Sequence, residues 1–438
     1  MESVISKEND YKQRLLSTPS YQLYPVYQQT GGTTSTLAVG GGTSITFELP
    51  SSVYNLAESS LRFTMTPTAG GSGNYNYIFS NFPFRQLTLT DSSGFLLCDI
   101  PDVFKYFDIT KRHDINDQTY NTGLIAGSTT IPYEGIARLR ESEAAASYYY
   151  GGGAVVDSKE PVYMMNGGSN TATPVLVWQF KMKLLVDTIL ALDKDLYFGK
   201  SIFLKLYSLP VNQIGYLAGA SGATVVSGLT STIALSSLEF DLAQQVNENL
   251  KNQAMSMFQN TEMYIPFVLT DRFTTTASTS QTLTKKYIPS DGKFIKRIVV
   301  VPYSATDSSS TTLDHNNISS VKVVSYQTKV NGSPTTQNIL TCSNYDDYIL
   351  FKDRLKGSMI ISSYDYYYNW RHEEIFVDDG AIRDKPNPSN NLVGGLPISK
   401  EFNYDVKATT TNNSFNWYIF TIVYRKLIFN NGNLSYEN

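Results

Sequence analysis

The sequence predicts an all-β chain of two consecutive jelly-roll β-sandwiches, a double jelly roll, with short helices in the connections. Three observations predict it: period-two alternation in most apolar stretches, connections too long for hairpins, and an order of elements that occurs twice. Alternation is clearest in SITFELPSSVYNLAESSLRFTMTP, residues 44–67. Ile45, Phe47 and Leu49 point one way and Thr46 and Glu48 the other; Leu61, Phe63 and Met65 likewise oppose Arg62 and Thr64. Phe47, Leu49, Leu61 and Phe63 are therefore expected in core-facing strands. Eleven residues, Pro50 to Ser60, separate the two runs, whereas a hairpin needs roughly 2–5. Long cross-connections are the habit of Greek-key and jelly-roll sandwiches.

The 438 residues exceed one domain of about 100–200, and 41% hydrophobic against 17% charged residues is enough for sizeable cores. Tyrosine dominates the aromatics, 31 against 22 Phe and 3 Trp, and its apolar ring with a polar tip suits strands and wet protein contacts. The net charge is −4, and the first twenty residues balance Lys7, Lys12 and Arg14 against Glu2, Glu8 and Asp10. Phosphate backbones demand clustered Lys and Arg, so direct nucleic-acid binding is not expected. No run of about 18 apolar residues is present for a spanning helix, and the polar start MESVISKENDYKQRLL does not read as a secretory signal. Cys98 and Cys342 fit buried free thiols best, a single long-range disulfide being the alternative.

Residues 1–30 read as an N-terminal arm: Pro19 and Pro25 break helical structure, and Tyr21, Tyr24 and Tyr27 are candidate docking residues. The first roll is expected over 31–212. It includes the strand–turn–strand RQLTLTDSSGFLLCDI with a turn at Asp91–Gly94, a short helix after Pro101, and a long loop at 114–160 holding one helix-like run, IARLRESEAAAS. The Gly/Ser-rich stretch 213–232 reads as a linker, and the second roll as 233–438. There the clearest helix is DLAQQVNENLKNQAMSMF, with Leu242, Val246, Leu250 and Ala254 on one stripe and Asp241 near its start. The repeat pairs RQLTLTDSSGFLLCDIPDVFKYF, from Arg85, with VKVVSYQTKVNGSPTTQNILTCSNYDDYILFKD, from Val321, each preceded by an amphipathic strand pair.

That order resembles the double-jelly-roll major capsid proteins of tailless icosahedral double-stranded DNA viruses, including adenovirus hexon and proteins of large algal viruses, virophages and Polinton-like viruses. Four stretches carry the resemblance: TSITFELPSSVYNLAESSLRFTMT, with Asn55-Leu56 at the position of the family's connector; FPFRQLTLTDSSGFLLCDIPDVFKYF; LLVDTILALDKDLYFGKSIFLKLYSL; and SLEFDLAQQVNENLKNQAMSMF. Together they cover most of residues 44–275. The resemblance implies a structural protein of the virion, made inside the host cell and not secreted, whose homotrimers form pseudo-hexameric capsomers. Its implied partners are itself, neighbouring capsomers, minor capsid or penton proteins and an inner membrane. The arm would contact such a neighbour, and loops 114–160 and 376–400 would form towers or inter-capsomer contacts.

No catalytic, cofactor or metal site is expected. His113, His315 and His372 lack metal-ligand spacing, and RHEEIF at 371–376 lacks the second His of a zinc-protease helix. No Gly-x-Ser-x-Gly elbow is present. Gly199-Lys200-Ser201 lacks the upstream glycine of a phosphate loop and reads as a turn. Asp193/Asp195, Asp346-Asp347 and Asp378-Asp379 read as solvated turns rather than a glycosidase pair or a calcium site. The alternatives to the capsid reading are a β-sandwich attachment or carbohydrate-binding protein and, behind it, a glycan-cleaving enzyme.

Overall fold

Alternating apolar residues account for most of the elements in the computed structural model, which describes residues 21–67, 76–79, 82–107, 163–166, 176–218, 225–228, 231–275, 280–304, 323–334, 338–341, 375–377, 396–398, 401–410 and 415–437. The expected loops at 114–160 and most of 376–400 lie outside them, as do residues 1–20 and Cys342. In chain order the strands are β1 (Tyr21–Tyr27), β2 (Ser35–Leu37), β3 (Ser44–Leu49), β4 (Tyr54–Pro67), β5 (Asn76–Phe79), β6 (Phe84–Asp91), β7 (Leu96–Pro101), β8 (Tyr163–Asn166), β9 (Leu176–Lys181), β10 (Asp195–Leu196), β11 (Ile202–Ser208), β12 (Gly215–Ala218), β13 (Val225–Gly228) and β14 (Ile233–Gln245). After the helix Glu248–Met257 come β15 (Asn260–Thr275), β16 (Ser280–Tyr287), β17 (Phe294–Ser304), β18 (Val323–Val330), β19 (Ser333–Pro334), β20 (Leu340–Thr341), β21 (Ile375–Val377), β22 (Leu396–Pro397), β23 (Phe402–Thr410), β24 (Phe415–Asn430) and β25 (Asn433–Tyr436).

Each roll has two main sheets. In the first, β3-β11-β6-β7 pairs with a sheet ordered β1-β14-β4-β10, on which β2 and β9 also sit. In the second, β15-β24-β17-β21 is matched by β16-β23-β18-β19. The opening strand (β3, β15) lies beside the closing strand (β11, β24), and that strand lies beside β6 or β17, the non-local order of a jelly roll. A smaller sheet, β13-β12-β5-β8, completes the first half. Side chains from the two sheets meet between them: Phe47 on β3 with Phe240 on β14 at 5.9 Å, and Phe63 on β4 edge-on to Phe84 on β6 at 6.1 Å. Phe47, Leu49, Leu61 and Phe63 are all buried in this core. In the second roll Tyr287 on β16 shares a buried 2.7 Å hydrogen bond with Thr421 on β24.

The structure differs from the sequence expectations at four places. The runs 44–49 and 61–67 do not pair with each other but enter different sheets, and the connector shrinks to 50–53 because β4 begins at Tyr54. Residues 53–57 are buried on both faces, so they lack the alternation that marks a half-buried strand. Residues 213–232, expected as a linker, contain the β12–β13 pair, and 233–245 belongs to the first roll, lying between β1 and β4. Small residues look like linker by composition, yet backbone pairing does not depend on side-chain size. The helix starts at Glu248 rather than near Asp241, and its cap is Asn247, whose side chain accepts from the N–H groups of Asn249 and Leu250. Leu250 and Ala254 are buried on it as expected, but Leu242 lies in a strand. Finally, strand order makes β6 the counterpart of β17, not of β18 from Val323. Two hairpins with glycine turns look alike locally, and only non-local partners tell them apart.

Candidate assembly surfaces

For a chain of this kind the functional surfaces are sheet edges and the joint between rolls. The first is β1, the edge of its sheet, paired along its length with β14 from Tyr21↔Gln245 to Tyr27↔Glu239. Its first residue is tied down: Tyr21 donates to Asp195 Oδ1 at 2.5 Å, and Gln245 donates to Asp195 Oδ2 at 3.0 Å. Burial first, then the Asp195 carboxylate, pushes the Tyr21 phenol above its ordinary range, so it stays a donor. Beside it Asn55 donates to Asp193 at 2.8 Å and accepts from the N–H groups of Ala57 and Glu58. Ser59 links that turn of β4 to β14 by donating to the Asn55 carbonyl and accepting from Ala243 N–H. At the other end Gln28 is buried and donates to the Thr34 carbonyl, while Gln29 N–H donates to Thr46 O at 2.9 Å. Gly31 (φ +89°) and Gly32 (φ +61°) make the turn that follows; a Cβ at Gly31 would come within 2.7 Å of Thr34 O.

Between these clamps the strand is open. Leu23, Tyr24 and Tyr27 are 53%, 39% and 51% exposed, three of the large exposed apolar residues among those described. Leu23, Pro25 and Tyr27 share one face by strand periodicity, while Val26, on the other, packs against the core. YQLYPVY carries no charge, and Pro25 brings no N–H to the edge, the usual position of proline in a sheet. Of the arm tyrosines, then, Tyr21 is turned to a carboxylate while Tyr24 and Tyr27 are displayed.

The second surface is the joint between rolls, where aromatic residues of both halves enter one apolar core. Phe198 stacks on Phe429 at 6.1 Å, and Phe258 meets Phe429 edge-on at 5.0 Å. Tyr436 packs its ring on Phe95 at 4.8 Å and donates to the Leu96 carbonyl at 2.9 Å. Tyr106 donates to Val186 O at 2.7 Å and sets its ring edge-on to Phe420. Lys105 is buried, its ammonium 5.0 Å from the Tyr418 ring centre and 5.1 Å from that of Phe104. Burial raises the Asp102 carboxyl, and the charges of Lys105, Arg272 and Arg85 pull it back. Lys296 of β17 forms an ion pair with Asp187 of the first roll. These contacts fasten the rolls with packed rings as well as charges, a joint unlike the polar, mobile interface usual between domains.

Among the described residues no cluster of three or more His, Cys, Asp or Glu forms a metal site, and no helix is long and apolar enough to cross a membrane. His113, His315, His372, Asp346-Asp347 and Asp378-Asp379 lie outside them. Gly199-Lys200-Ser201 is a turn into β11: Gly199 has φ +70° and Lys200 reaches Asp91 at 3.5 Å and Ser93 at 2.8 Å. Asp193 is exposed, but Asp195 is buried in the β1 clamp rather than solvated. Sequence spacing offered no sign of this role, because both of its donors, Tyr21 and Gln245, are distant in the chain.

No family model and no curated protein matches the chain. Among solved structures it is similar to the PBCV-1 virus capsid quasi-atomic model, at 12% identity, a TM-score of 0.55 and coverage of 95% of this chain and 97% of that one. It is similar also to PBCV-1 VP54 fitted into a reconstruction of the virophage Sputnik, at 10% identity, a TM-score of 0.54 and coverage of 96% and 98%. The fold is the double jelly roll of these capsid proteins, shared along almost the whole of both chains.

Proposed function

We propose that this chain is a major capsid protein whose homotrimers form pseudo-hexameric capsomers of an icosahedral viral shell. The observation that carries it is the joint between rolls. A capsomer with two rolls per chain needs each pair to behave as one rigid body, and the shared core through Phe198, Phe429, Tyr106 and Phe420 supplies that rigidity. The double-jelly-roll likeness over nearly the full length supports the same role. The role is structural, located in the virion, and its contacts are with itself, with neighbouring capsomers and with minor capsid proteins. Residues 1–30 act as an assembly arm, with Tyr24 and Tyr27 as displayed contacts and Tyr21 as its anchor. Negative-stain imaging of the purified chain tests the proposal: particles of hexagonal outline with threefold averages are expected, and a field of isolated two-lobed monomers overturns it.

A further inference from the structure

We propose that the Leu23–Pro25–Tyr27 face of β1 packs on the β16 edge of a second copy, head to tail, through side chains rather than by strand addition. The inference rests on the capsomer reading and adds the two surfaces that would meet. Three observations lead to it. First, β1 is an apolar edge without the charges by which sheet proteins usually protect their edges. It is held in place by Tyr21–Asp195 at one end and buried Gln28 at the other, so it is presented to a partner in a preformed shape. Second, Pro25 interrupts the row of N–H donors that an added strand would need, which leaves side-chain packing as the mode of contact.

Third, charge and exposure point to the second roll as the occupant. Up to Gln245 the chain carries 16 Lys and Arg against 21 Asp and Glu, and from Val246 onward 19 against 18, so the first half is the acidic one. Glu239 and Asp241 sit opposite Tyr27 and Pro25 in the register, at the rim of the β1 face. In the second roll β16 is likewise the last strand of its sheet, carrying Lys285 and Lys286 and running into Ile288, which is 44% exposed. Its Lys286–Glu401 pair lies on the surface with both side chains more than half exposed, so the lysine meets a second acid at little desolvation cost. A contact between unlike patches is heterologous, and it closes into a ring when the rotation allows.

The test uses full-length protein and solution mass by light scattering, with circular-dichroism melting to report on folding. Leu23→Asp/Tyr27→Asp and, separately, Ile288→Asp are each expected to give monomers with wild-type melting, while Val39→Asp, at an exposed apolar residue elsewhere in the first roll, leaves the oligomer intact. Mixing the two monomeric variants at equal amounts is expected to give a species of twice the 48.8 kDa chain mass, because one sound β1 face then meets one sound β16 edge and the ring cannot close. An unmixed monomer population overturns the head-to-tail contact, and so does a trimer that survives Leu23→Asp/Tyr27→Asp; in both cases a trimeric wild type leaves the capsomer reading standing. A wild type that is itself monomeric overturns that reading and this contact together. If the double variant melts early, Tyr27→Ser replaces it, with the same readout and outcomes.

Discussion

The Tyr21 hydroxyl lies 2.5 Å from Asp195 Oδ1, joining the first residue of β1 to a carboxylate 174 positions later in the chain. This contact decides whether the N-terminal strand is part of the roll or a loose tail. Hydrogen bonds to charged groups contribute about 1.5–3 kcal/mol, and Asp195 keeps Gln245 when the phenol is lost. Tyr21→Phe should therefore leave the fold intact and speed amide exchange selectively in 21–27. Unchanged protection there would mean that backbone pairing alone holds the strand.

Removing residues 1–20 spares every strand, since β1 starts at Tyr21. The deleted chain should melt like the full-length one but fail to assemble beyond single capsomers. Normal particle assembly would take the role away from that segment.

Core substitutions should act through burial. Phe47 and Phe63 lie between the two sheets of the first roll. An aspartate at either position puts an unpaired charge into the core, so Phe47→Asp and Phe63→Asp should yield no soluble protein. Leu61→Ala should cost about 2–5 kcal/mol, read from denaturant unfolding. Native-like solubility of either aspartate variant would contradict the strand register.

The joint predicts cooperativity between the rolls. Phe429 touches Phe198 on one side and Phe258 on the other, so Phe429→Ala should lower stability by about 3–5 kcal/mol. The unaltered protein should show a single calorimetric transition. Two well-separated transitions would show that the rolls fold independently.

Alkaline pH should destabilise the fold. Burial pushes the Cys98 thiol and the phenols of Tyr54, Tyr287, Tyr418 and Tyr436 above their ordinary values. Groups whose folded pKa is raised bind protons more tightly in the folded state, so their contribution is complete below the unfolded pKa and declines above it. Stability should therefore fall from about pH 8.5, where an exposed thiol ionises, and more steeply near pH 10, where exposed phenols do. In a Cys342→Ser background Cys98 should also resist thiol reagents until the protein unfolds; prompt labelling of folded protein would contradict its burial.

Much of the fold was legible because half-buried strands announce themselves by alternation: β3, β6 and β11 do so, and their inward residues are the core. What escaped was the part decided by distant partners. Tyr54–Ala57 looked like loop because both faces are covered, and Ile233–Gln245 looked like the second roll because its pairing with β1 and β4 leaves no local trace. The tyrosines of the arm stood out in the sequence, but not that Tyr21 turns inward to Asp195 while Leu23 is displayed beside Tyr24 and Tyr27. That division follows from the register with β14, which no spacing within residues 21–27 encodes.

The most direct test of the capsomer claim is the solution mass of the purified chain by light scattering over a range of concentrations. A concentration-independent species of three times the 48.8 kDa chain mass is the result expected. A monomer at every concentration would contradict it, and glycan binding by that monomer would establish the attachment-protein alternative instead.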